Sequence, residues 1–409
     1  MLPPPPASRA ATRCVLAGRV IAMLEAEPRR VPFVLGGCGS GRTTTLRHVQ
    51  NHYGTAACQY IDIERTATTP ERFFQAVVSH SPFAAAMPGR VPATPREAFS
   101  LLLTFLASAQ TSGGQPAMFL LDETLELRTF ESFPGLRQTV QELLARLATT
   151  RNRFVLASRY EVRVARLLRG GQHPCVPLST VGLTSREIGD LLRMDTSGAG
   201  QTGGTPADEA NLRDLAAVVQ LLSDGRPAYA DAIAIAMRTM RANGGGDPVS
   251  ALSALLCSGG QLARRCEHSY AIRLNRARGY GALKAILDIL SDEEPLTLSE
   301  VSQRLRRTPG STRDYLSWLE DVDLVGSRDK RYYVRDPILR LWIRLYCRPV
   351  PPSDDAVARH VQHYALQRLA ARSGDRAGGS DPHLSHLRSG SDPVRSEVQP
   401  TIGMSRSRG

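Results

Sequence analysis

The stretch Phe33–Val49, FVLGGCGSGRTTTLRHV, decides how the rest of the chain is read. An apolar run leads into Gly36-Gly37-Cys38-Gly39-Ser40-Gly41-Arg42-Thr43, and a segment of helical character follows. Every defining place of the phosphate-binding pattern G-x-x-x-x-G-[K]-[ST] is filled except the lysine, where Arg42 stands. A strand before and a helix after are the context such a loop requires. The glycines let the backbone fold round a phosphate chain with N–H groups pointing inward, and the helix N-terminus adds partial positive charge. Gly36, Gly37, Cys38, Gly39, Ser40, Gly41, Arg42, Thr43 and Thr44 are therefore the candidate phosphate contacts, and the Thr43 hydroxyl is placed to ligate magnesium.

Arg42 is the departure that matters. Lysine reaches the β- and γ-phosphates as a compact point charge, whereas arginine is planar and bulkier, so the exchange is not conservative at a fitted site. The backbone amides and Thr43 leave phosphate binding in place. Hydrolysis is more exposed to the change, because transition-state charge must be met at defined positions. An arginine bias pervades the chain, in which only Lys284 and Lys330 are lysines, so Arg42 is not singular in composition.

Outward from this loop, short apolar runs alternate with helical segments. PFVLGG, AACQYIDI, PAMFLLDE and NRFVLASR read as buried strands, and TTTLRHVQNHY, PERFFQAVVSH, REAFSLLLTFLASAQ and RQTVQELLARLATT as helices. The alternation predicts an α/β fold, a parallel sheet covered on both faces in three layers. Asp122 and Glu123 end one apolar run, which puts them at the C-terminal edge of a buried strand, where ligands of open α/β sheets bind. Asp122 would hold magnesium with Thr43. Glu123 would polarise the attacking water, so it and Arg42 are the candidate catalytic residues. Ser158 and Arg159 end a further strand and could sense a γ-phosphate, and Pro227 in the Gly225-Arg226-Pro227 turn could press against a base.

Composition bounds the class. With 409 residues, 42% of them hydrophobic, the chain can bury several cores, while its longest apolar runs fall far short of the ~20 residues of a membrane span. Seven scattered cysteines without a CxxC pair suggest neither a disulfide framework nor a zinc site, and point to a reducing cytoplasm. A net charge of +12 makes a polyanion such as DNA a plausible partner.

GGCGSGRTTTL, FLLDE, VLASR, the GRP turn and YYVRDPILRLW occur in an order that resembles the archaeal-type ATPase family of the STAND class, relatives of the AAA+ proteins. The resemblance covers about 30 to 350 and implies a P-loop ATPase core, a small helical lid and a C-terminal winged helix, with ATP and magnesium bound between core and lid. On that basis 1–30 is a disordered lead and N-terminal helix, 31–178 the core, and 179–245 the lid with a flexible insert at 195–210. Residues 246–350 form the winged-helix domain, and 351–409 a tail expected to be largely disordered.

In the C-terminal domain three helical segments precede a hairpin-like pair; the second starts with a capping box of Thr297 and Glu300. Ser311, Thr312 and Arg313 open the third helix, and Arg328, Lys330 and Arg331 lie in or beside the hairpin tip. These are the candidate DNA contacts, although Asp314, Glu320 and Asp321 weigh against the helix. Three functions follow: an ATP-dependent switch acting on DNA or a partner protein; a DNA-remodelling or initiator-type AAA+ ATPase, working as a homo-oligomer with an arginine finger; and a nucleotide-binding scaffold without turnover. Arg163, Arg166 and Arg169 are the candidate fingers.

Overall fold

The apolar runs flanking the glycine-rich loop become parallel strands in a computed structural model, which describes residues 14–83, 91–169, 173–194, 206–241, 246–274 and 279–378. In chain order the first elements are helix α1 (Cys14–Glu25), strand β1 (Val31–Leu35), α2 (Arg42–Tyr53), β2 (Cys58–Asp62), α3 (Ile63–Thr66), α4 (Pro70–Ser79) and α5 (Pro95–Ser108). Then come β3 (Met118–Asp122), a 3-10 segment (Thr124–Ser132), α6 (Thr139–Thr149), β4 (Arg153–Ser158), α7 (Glu161–Leu168) and β5 (Cys175–Ser179). The strands line up as β2-β3-β4-β1-β5, every pairing parallel.

Alternation within each strand sorts two cores. Phe33, Leu35, Phe119, Leu121, Phe154 and Leu156 face α4, α5 and α6, whose Phe73, Phe105 and Leu144 they meet. Val34, Leu120, Val155 and Ala157 face α1 and α2 through Val20, Leu46 and Val49. Phe119 stacks on Phe154 with ring centroids 5.4 Å apart. Burying one such side chain contributes about 1.5–3 kcal/mol. Thr69 and Thr94 each cap a helix that starts with proline, since their hydroxyls accept the N–H of Arg72 and Glu97.

Because β4 lies between β1 and β3, the end of β4 is flanked by the phosphate loop on one side and Asp122 on the other. The strand β5 has no counterpart among the four runs read from sequence. It is an edge strand, partly exposed and carrying Pro177, a residue that the interior of a sheet disfavours.

Next come α8 (Ser185–Met194), α9 (Pro206–Ser223), α10 (Pro227–Arg241), α11 (Pro248–Leu256) and α12 (Gln261–Leu274). Helix α9 starts inside the segment read as flexible, with Asp208 and Glu209 favouring its first turn; 195–205 lies outside the described residues. A three-helix unit follows, made of α13 (Tyr280–Asp292), β6 (Leu296–Thr297), α14 (Leu298–Leu305), α15 (Pro309–Asp321), β7 (Val325–Arg328) and β8 (Arg331–Val334), and α16 (Pro337–Tyr346) comes directly after it. The strands form an antiparallel sheet β6-β8-β7. Both halves of the Thr297–Glu300 capping box are made. Asp329 and Lys330, both at positive φ, make the two-residue turn of the hairpin.

The segment read as a loose tail begins with α17 (Asp354–Gly378), a helix whose Val357, Val361 and Tyr364 are buried; its polar composition hid this narrow apolar stripe. One compact unit ends at Ala365 and a second starts at Leu366. Residues 379–409 lie outside those described. Among the described residues no helix is long and apolar enough to cross a membrane.

Candidate nucleotide-binding site

The loop between β1 and α2 bends through Gly39 and Gly41, at φ 76° and 89°, where a β-carbon would be strained. A β-carbon on Gly36 would fall 1.9 Å from the Thr180 hydroxyl, so that glycine is needed for close approach to the end of β5. The loop forms one wall of a cleft of about 340 Å³, to which Gly37, Gly39, Ser40, Gly41, Arg42, Thr43 and Thr44 contribute. Leu191, Pro227, Ala228, Asp231, Gln261 and Arg265 close it from α8, α10 and α12. The Ala228 amide donates to Gly39 O at 3.2 Å, fastening the start of α10 to the loop.

The metal-binding candidates meet. Thr43 donates its hydroxyl to Asp122 Oδ2 at 2.7 Å, although 79 positions separate them. Asp122 Oδ1 accepts the Glu123 N–H at 3.1 Å. A hydroxyl and a carboxylate are hard oxygen donors of the kind magnesium takes, so the pair fits that ion.

Arg42 lines the cleft, but its guanidinium is engaged with a carboxylate. Its Nη2 donates to Glu123 Oε1 at 2.6 Å, with both side chains buried, and its buried Nη1 has no hydrogen-bond partner among the described residues. Glu123, at φ 53°, is held from the other side by Arg159: the Arg159 N–H donates to Oε2 at 3.2 Å, and Arg159 Nε lies 3.1 Å from Oε1. Burial pushes the Glu123 carboxyl up, but Arg42 and Arg159 together outweigh it and hold it below the usual range. Arg159 also pairs with Glu64 on α3.

Ser158 and Cys38 lie elsewhere than sequence suggested. Ser158 is fully buried and its hydroxyl accepts the Tyr160 N–H at 3.1 Å, so it shapes the entry to α7 instead of facing phosphate. Cys38 turns from the cleft toward α12, where Arg273 Nη2 is 3.5 Å from its sulfur. Burial raises this thiol, but Arg273 and Arg159 outweigh it and lower its pKa.

Sequence reading passed over the arginine inside the GRP turn. Arg226 Nη1 is 3.2 Å from where a Gly37 β-carbon would lie and 3.2 Å from Asp336 Oδ2. Asp336 also accepts from Tyr229 at 2.8 Å and caps α16. The segment joining β8 to α16 is thus linked to the phosphate loop through one guanidinium. The RDP triplet containing Asp336 was the signal that could have found it.

In the three-helix unit, Arg313, Arg328, Lys330 and Arg331 are exposed and Ser311 is half-buried. Thr312 is fully buried, its hydroxyl donating to Thr308 O at 3.0 Å, so it cannot present a donor to a base edge. Exposed Arg306 and Arg307 in the α14–α15 turn were missed. Of the candidate fingers, Arg166 makes two hydrogen bonds to Asp321 at 2.9 and 2.7 Å, Arg163 lies over the Tyr160 ring, and Arg169 Nε donates to Ala165 O.

No protein-family model matches the chain, and no curated protein matches its sequence. Among solved structures, the Walker-type ATPase PABY2304 of Pyrococcus abyssi is similar over 81% of this chain and 95% of its own, with a TM-score of 0.57 and 16% identity. The fold is that of a P-loop NTPase. The Aeropyrum pernix ORC1 protein in complex with DNA (19% identity, 88% and 94% covered, TM-score 0.36) and Thermotoga maritima RuvB (14%, 79% and 91%, 0.39) superpose too loosely to add to that assignment.

Proposed function

We propose that the chain binds ATP with magnesium in this cleft and acts as a nucleotide-dependent switch whose hydrolysis is restrained by Arg42. The observation that carries the reading is the 2.7 Å contact between Thr43 and Asp122 beneath the glycine-rich loop. The loop amides and the start of α2 would hold the phosphates, while Leu191 and Pro227 offer apolar surface to a base. Magnesium, when bound, neutralises charge on the phosphates, and Thr43 and Asp122 would hold it.

Glu123 is the carboxylate for a water nucleophile, but paired with two arginines it is a weak proton acceptor. Arg42 can serve phosphate or Glu123, and in this arrangement it serves Glu123. Slow turnover follows, as suits a switch that must persist in its bound state.

The three-helix unit is the output we assign to the switch, read as a winged helix. Asp336 on Arg226, and Asp321 on Arg166, tie it to the phosphate-loop side and to α7. Arg313, Arg328, Lys330 and Arg331, with Arg306 and Arg307, give it exposed cations suited to the phosphates of duplex DNA.

The test is equilibrium binding of ATP with and without magnesium. Tight binding that Thr43→Ala and Asp122→Ala each weaken in magnesium, but not in chelator, is the expected result; no binding by the natural protein would overturn the reading.

A further inference from the structure

Asp122 is held from a third direction. Tyr60, on β2, donates its hydroxyl to Asp122 Oδ2 at 2.8 Å, the same oxygen that accepts from Thr43. Strand register explains the reach: Tyr60 pairs with Leu120 and Asp62 with Asp122, so all four share one face and the tyrosine extends diagonally along it. The guanidinium of Arg47, from α2, lies 3.6 Å from the Tyr60 ring centroid and fixes the ring from outside the sheet. Asp62, beside Asp122 in register, turns its own carboxylate to the Arg65 N–H at 3.1 Å and does not compete for that donor.

We propose that Tyr60 is a positioning residue for the metal-holding carboxylate: by fixing Asp122 Oδ2 it sets the magnesium affinity of the cleft. The inference rests on the ATP–magnesium reading above. Thr43 is itself a candidate ligand, so its oxygen would be shared with the metal. Tyr60 is outside the candidate ligand set and holds Oδ2 by its hydrogen bond alone. Partners of this kind, one step removed from a metal, change affinity about 10- to 100-fold when lost.

The experiment titrates magnesium against the full chain with a fluorescent ATP analogue, for the natural protein, Tyr60→Phe and Arg47→Met. Phenylalanine keeps the ring and removes only the donor. The expected result is a magnesium midpoint raised about tenfold in Tyr60→Phe, a smaller rise in Arg47→Met, and unchanged analogue affinity in chelator for both. A Tyr60→Phe midpoint equal to that of the natural protein overturns the assignment, as does lost affinity in chelator, which would mark Tyr60 as merely structural. Analogue binding by the natural protein without any magnesium dependence would instead overturn the ATP–magnesium reading, and Tyr60 with it.

Discussion

Arg42 Nη2 and Glu123 Oε1 lie 2.6 Å apart in a buried ion pair, so the cation of the phosphate loop is turned onto the carboxylate that would prepare water for attack. Burying two charges gives little net stability, whereas removing one partner costs about 3–5 kcal/mol, because the other is left uncompensated. The pair therefore reads better as a constraint on chemistry than as a device for folding. Arg159 completes it from the adjacent strand, which is why the position of β4 in the sheet matters.

The same reasoning applies to Arg226 and Asp336. Asp336→Ala strips Arg226 of its carboxylate, Tyr229 of its acceptor and α16 of its cap. The expected loss is about 3–5 kcal/mol, seen as a lower urea midpoint with an unchanged slope. Arg226→Met in the same chain should recover part of that loss, because the stranded charge is gone.

Gly225 has φ 65°, and a β-carbon there would sit 3.0 Å from both the N and the O of Leu183, all rigid backbone. Gly225→Ala should cost about 1–3 kcal/mol by thermal unfolding. It should also weaken ATP binding, since Arg226 and Pro227 follow directly.

Asp323 gives a pH signature. Burial, opposed by Arg335, pushes its carboxyl up to about 6; unfolded, it would titrate near about 3.9. Between these values the folded chain binds more protons than the unfolded one. This contribution is thus full below about pH 3.9 and is lost as pH rises through 6, on the order of 1.4 kcal/mol per unit. Subtracting the pH profile of Asp323→Asn, a residue that tolerates the positive φ of this site, from that of the natural protein should leave that downward slope.

If the exposed cations of the three-helix unit meet DNA phosphates, binding to duplex should weaken linearly with the logarithm of salt. Replacing Arg328 and Lys330 by alanine should flatten that slope by about two units across unrelated sequences. An unchanged slope would move the partner from DNA to protein.

Much of the site was legible because its residues end apolar runs. Asp122 and Glu123 close a strand, and Thr43 follows a glycine-rich turn, so local pattern fixes their place. Tyr60, Arg226 and Asp336 were not, since each acts through a partner distant in sequence, and strand order alone brings Tyr60 to Asp122. Ser158 and Thr312 misled for a related reason: a hydroxyl at an element's end can face solvent or satisfy a nearby backbone group, and here both do the latter. The strand β5 escaped because an exposed edge with a proline has neither alternation nor an unbroken apolar run.

The most direct measurement is single-turnover phosphate release from ATP and magnesium by the natural protein, Arg42→Lys, Glu123→Gln and the double variant. The account predicts slow release by the natural protein, at least about tenfold faster release by Arg42→Lys as Glu123 regains its role as base, and loss of that gain in the double variant. Release by Arg42→Lys no faster than by the natural protein, or a gain that survives Glu123→Gln, would contradict it.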